Sequence, residues 1–78
     1  MEQPINYEEK VREVYPNAFC TYSNYGGKSM YYYITTPELN QQGRCLVDGT
    51  ETVHGTFVAW KYTYQTLLKQ DKIKRHAD

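Results

Sequence analysis

The feature that most constrains this chain is a turn signal set between two alternating runs. Asn24-Tyr25-Gly26-Gly27 separates Ala18–Ser23 from Ser29–Thr36, and Asn/Gly clusters of this kind supply the positive φ angles that a tight turn requires. In the first run Ala18, Cys20 and Tyr22 fall on one side and Phe19 and Thr21 on the other. In the second, Met30, Tyr32 and Ile34 oppose Tyr31, Tyr33 and Thr35. β-Branched and aromatic residues at period two predict an antiparallel hairpin.

The flanking segments read as helices. Asn6 followed by Glu9 has the spacing of a capping box. Tyr7, Val11, Val14 and Tyr15 then recur at helical spacing until Pro16 ends the run. A first helix is expected over about 7–15. Downstream, Pro37–Gly43 reads as a polar loop, Arg44–Val47 as a short third strand, and Asp48-Gly49 as a turn. Thr56 is the expected N-cap of a last helix over about 57–69. Ala59, Trp60, Thr63, Tyr64 and Leu67 form its apolar stripe. The expected fold is therefore α+β in the order α-β-β-β-α, with two helices on one face of a three-stranded antiparallel sheet. Residues 1–5 are expected to be a flexible lead, 6–70 a single domain, and 71–78 a flexible basic tail.

With 78 residues there is material for one domain, and a chain this short buries only about 60% of its unfolded surface. A deep catalytic cavity is not expected. Nine basic and nine acidic side chains balance, which argues against a dedicated nucleic-acid or membrane-surface binder. No apolar run is long enough to span a bilayer. The acidic N-terminus lacks the shape of a signal peptide, so a cytoplasmic setting with reduced cysteines is expected.

Two patches resemble a known group. Tyr15-Pro16-Asn17-Ala18 after a short charged helix, and Gly55-Thr56 leading to Ala59-Trp60, are similar to small uncharacterised tailed-bacteriophage proteins with Tyr-Pro-x-Ala and Ala-Trp motifs. The likeness covers roughly residues 8–68 and departs at Thr63, where the group tends to carry Ala. It implies a phage or prophage origin and the cytoplasm of an infected bacterium, and transfers no functional residue. The expected element order is also similar to that of the double-stranded-RNA-binding domain. That family's lysine cluster would fall on Thr56, Phe57, Val58 and Ala59, with only Lys61 basic nearby.

Chemistry-bearing residues are sparse. Cys20 and Cys45 lack a CxxC or a zinc-like histidine spacing, so neither a metal nor any other cofactor is expected. On neighbouring-but-one strands, roughly 9–10 Å apart, they would also be out of disulfide reach. Cys45, Asp48, Glu51 and His54 are close in sequence but lack an evident orienting partner, and no enzyme activity is expected. Gly26-Gly27-Lys28-Ser29 lacks the spacer and the helix of a phosphate loop.

Tyrosine is the exceptional residue: nine, against two Phe and one Trp. Tyr couples an apolar body to a polar tip and is enriched at interfaces. The sheet face turned from the helices is expected to display Tyr31 and Tyr33, with Tyr22, Tyr25 and Lys28 beside them, as a partner-binding surface. The expected partner is a host or phage protein, modulated or inhibited on binding, as in anti-defence. A symmetric homodimer through the same face is another reading of these tyrosines. The alternative is a nucleic-acid module using Lys61, Lys69, Lys72, Lys74 and Arg75 on phosphates.

Overall fold

The computed structural model describes residues 6–25 and 29–72. Its elements are α1 (Tyr7–Val14), β1 (Phe19–Tyr25), β2 (Ser29–Thr35), α2 (Pro37–Gln41) and α3 (Thr56–Lys69).

α1 begins where the capping pattern places it, with Asn6 Oδ1 accepting from the Glu9 N–H at 3.0 Å. Val11 is buried, and Tyr7 and Tyr15 pack against the core at half-burial. Val14 lies at the helix end and stays exposed. Tyr7 meets α3 through two ring contacts, edge-on to Phe57 at 5.5 Å and tilted against Tyr64 at 5.3 Å. Such pairs add about 0.5–1.5 kcal/mol beyond area burial.

The five residues of the α3 stripe, Ala59, Trp60, Thr63, Tyr64 and Leu67, are the five that the helix buries. They close on Ile34, Val11, Ala18 and Val47. Thr56 is the first helical residue rather than the cap. Gly55 occupies the cap at φ 110°, with no side-chain hydrogen bond. Glycine suits that conformation because it lacks the Cβ that forbids it elsewhere.

The hairpin forms with Cys20 opposite Ile34, Thr21 opposite Tyr33 and Tyr22 opposite Tyr32. Among the described residues, however, the sheet has two strands and not three, and the element order is α-β-β-α-α. The expected third strand at 44–47 is replaced by an interrupted edge. Leu46 N–H donates to Ile34 C=O at 2.7 Å, and Tyr32 and Thr52 exchange two bonds at 2.7 and 3.0 Å. A continuous antiparallel ladder through the Tyr32–Thr52 bridge would set Thr50 opposite Ile34. Instead Leu46 bonds there, and the chain between them loops out. Gly49 turns at φ 83°, and the buried Thr50 hydroxyl donates to Val47 C=O at 2.6 Å. A side chain and a turn thus satisfy backbone groups that a strand would have used.

The polar loop expected over Pro37–Gly43 is in part a helix, α2. Thr36 caps it by accepting from Leu39 N–H at 3.4 Å, and Pro37 stands in the first turn, where its missing N–H costs nothing. Arg44 N–H closes its far end on Leu39 C=O at 2.9 Å.

These differences also remove the likeness in element order to the double-stranded-RNA-binding domain, which rested on three consecutive strands. Among the described residues no helix is long and apolar enough to cross a membrane.

Candidate functional site

Strand alternation divides the hairpin into two faces. Ile34 is fully buried in the core, and Cys20 and Tyr32 pack against the same cluster, so the even-numbered side chains face the helices. The odd-numbered ones, Phe19, Thr21, Ser23, Tyr31, Tyr33 and Thr35, take the other face by register.

Tyr31 and Tyr33 therefore share the face turned away from α1 and α3, and both are half-buried. They are not bare rings on an open sheet. The segment after β2 folds back over the Thr35 end of this face. Thr35, wholly buried, donates its hydroxyl to Arg44 C=O at 2.7 Å. The Tyr33 hydroxyl donates to Asn40 Oδ1 of α2 at 3.4 Å. Beside Tyr33 an open recess of about 330 Å³ is lined by Arg44, Cys45, Asp48 and Glu51 together with Gly43 and Gly49.

The remaining expected residues do not join this patch. Tyr22 is 60% exposed but stands opposite Tyr32, on the helix-side face, with ring centroids 6.4 Å apart. Lys28 and the Tyr25 side chain lie outside the described residues. The charged rim of Arg44, Asp48 and Glu51 is absent from the sequence expectation for the tyrosine face, because it arises from the path of the chain after β2.

Of the basic set, three residues are described. Lys61 is half-buried on α3 and Lys69 and Lys72 are exposed, while Lys74 and Arg75 lie outside the described residues. α3, which carries Lys61 and Lys69, sits on the face of the sheet opposite Tyr31 and Tyr33.

The cysteines are free. With no third strand, their separation is that between β1 and an irregular segment rather than between strands. Burial, and then the negative charge of Glu8, push the Cys20 thiol above its ordinary pKa. Burial does the same to Cys45, followed by the carboxylates of Glu51 and Asp48. The Cys45 thiol makes contacts to Val47 C=O at 3.1 Å and Asp48 Oδ1 at 3.8 Å, and shares no hydrogen bond with the exposed His54, whose N–H donates to Thr52 Oγ1. An activated nucleophile needs the opposite shift, toward thiolate. Among the described residues no group of three His, Cys, Asp or Glu is placed to hold a metal.

Comparison of the chain with known protein families, curated proteins and solved structures finds no match.

Proposed function

We propose that this chain is a non-enzymatic, protein-binding module that engages a host or phage protein through Tyr31 and Tyr33, with Arg44, Asp48 and Glu51 as a charged rim. The observation that carries the reading is the placement of two adjacent tyrosines on the sheet face that the hydrophobic core does not use. Half-buried rings on a hydrogen-bonded hairpin are already ordered, so a partner gains contact area at little entropic cost. Charges around an aromatic centre contribute orientation and on-rate more than affinity. The Tyr-Pro-x-Ala and Ala-Trp patches support a phage setting, the cytoplasm of an infected bacterium, and a role in modulating or inhibiting the bound protein.

The test is recovery of partners from bacterial lysate by the wild type, a Tyr31→Ala/Tyr33→Ala variant, and a Tyr62→Ala control on α3. Folding is verified by circular dichroism. The reading expects the double variant alone to lose a partner that the other two retain. Equal recovery by all three refutes it.

A further inference from the structure

Among the described residues, β2 is hydrogen-bonded along both sides, whereas β1 is bonded along one. Tyr32 and Leu46–Thr52 define which residues point where. Tyr32 exchanges two bonds with Thr52, and Ile34 accepts from Leu46, so even-numbered residues of β2 turn their backbone groups away from β1. Backbone groups alternate along a strand, which leaves Tyr31, Tyr33 and Thr35 to bond Ser23, Thr21 and Phe19. Cys20, Tyr22 and Asn24 must then point their N–H and C=O groups out of the sheet. No hydrogen bond outside the hairpin ladder reaches any of these backbone groups among the described residues. Ala18, the preceding outward position, is treated differently. Its N–H donates to Tyr15 C=O at 2.9 Å, and its C=O accepts from Arg12 Nε at 3.1 Å.

Proteins protect such edges with charges, proline, bulges or a covering element. The strand Phe19–Tyr25 has no charged residue, no proline and no glycine, and its register is unbroken. α3 packs chiefly over β2 and less over β1. Tyr22 and its diagonal neighbour Met30, 60% and 42% exposed, lie on the same face just inside this edge.

We propose that β1 pairs antiparallel with β1 of a second copy of this chain, about a two-fold axis at Tyr22, to form a four-stranded sheet. Tyr22 then faces Tyr22 of the second copy, and Cys20 faces Asn24, each pair exchanging two backbone bonds. The identical strand fits because the strand residues Phe19–Tyr25 carry no charge, so two-fold pairing sets no like charges of the two strands directly opposite each other. The chain is also neutral overall. The Tyr22–Tyr32 ring contact continues into a row of four rings, and part of the exposed Tyr22 surface becomes buried against its counterpart. This surface is an edge, separate from the Tyr31/Tyr33 face, and stands or falls independently of the proposed function.

Sedimentation equilibrium over a concentration series is expected to show a mass rising from 9.2 kDa toward twice that value. A monomer at every concentration up to about 1 mM, the weakest dissociation constant such a contact could usefully have, overturns the proposal. Tyr22→Pro removes an outward N–H and none of the hairpin's bonds, so it should weaken association at least about tenfold with an unchanged circular dichroism spectrum. Undiminished association by a folded Tyr22→Pro protein also overturns it. Should that variant not fold, the register is read by cross-linking in a Cys45→Ser background. Facing residues of a hydrogen-bonded pair have Cα atoms about 5.5 Å apart, within disulfide range. Asn24→Cys should therefore oxidise to a covalent dimer through Cys20 of the second copy, reversibly with reductant. Ser23→Cys, on the other face, should not. No cross-link with Asn24→Cys, or equal cross-linking by both, refutes the pairing.

Discussion

Thr63→Val is expected to stabilise the protein although it removes a polar group from the middle of a helix. Thr63 has no exposed surface, and its hydroxyl is buried without a hydrogen-bond partner among the described residues. A buried hydroxyl left unpaired costs about 1–3 kcal/mol in lost hydration. Valine keeps the β-branched shape, replaces the hydroxyl with a methyl, and has nearly the helix propensity of threonine. The neighbours one turn away on the buried stripe, Ala59, Trp60 and Leu67, are apolar and suit a methyl. A gain of about 1–2 kcal/mol corresponds to a rise of roughly 5–15 °C in a domain of this size. Calorimetry and urea unfolding measure it, and an unchanged m-value would place the effect in stability rather than in denatured-state compactness. Thr63→Ser is the matched control: it keeps the hydroxyl, deletes the methyl, and should cost about 1 kcal/mol. If Thr63→Val lowers the midpoint instead, the hydroxyl is satisfied in the folded protein and the reasoning fails.

Trp60→Ala should cost about 3–5 kcal/mol, comparable to the whole stability of so small a domain; a cooperative melt at the wild-type temperature would contradict it. Gly55→Ala is expected to lose about 1–2 kcal/mol in chemical denaturation, through backbone strain at φ 110° alone, because no heavy atom outside its immediate neighbours lies within 4 Å of the added carbon. Asp71 follows α3 at φ 58°, with Lys72 N–H closing on Leu67 C=O at 2.9 Å; Asp71→Gly should raise stability by about 1 kcal/mol by relieving that conformation and removing an anion from a helix C-terminus. Both thiols have raised pKa values when folded, so folding favours their neutral form. That contribution is complete below the unfolded thiol's pKa and is lost as pH rises through the folded one. Iodoacetamide should alkylate the native protein more slowly than the urea-unfolded chain near pH 8, and equal rates would refute the shifts.

What could be read from the residues is what local periodicity controls. Asn6 and Glu9 mark the start of α1, and the two period-two runs give the hairpin, although Asn24 and Tyr25, expected in the turn, extend β1. The spacing of Ala59, Trp60, Thr63, Tyr64 and Leu67 gives the buried side of α3. The third strand was misread because a four-residue stretch such as Arg44–Val47 has no periodicity of its own, and its backbone partners are decided by tertiary contacts. Thr50, Gly49 and the Thr35 hydroxyl settle that competition in favour of a looped edge. α2 was signalled by Thr36 and Pro37, but its polar residues carry no apolar stripe. Of the expected site, alternation alone assigned Tyr31 and Tyr33 to one face. The expected grouping of Tyr22 with them ignored cross-strand register, which sets it opposite Tyr32. The rim of Arg44, Asp48 and Glu51 depends on the path of the chain after β2, which no local pattern encodes.

Because β2 is bonded on both flanks, it acts as the hub through which the distant parts of the chain are fastened. Ile34 lies at the middle of the core while its carbonyl holds Leu46, and Tyr32 clasps Thr52 while its ring meets Tyr22. Detaching the 46–52 segment would uncover the Tyr32 amide, whereas detaching β1 would uncover those of Tyr31 and Tyr33. Amide exchange along this single strand would therefore report, at alternate residues, the separate opening free energies of its two neighbours.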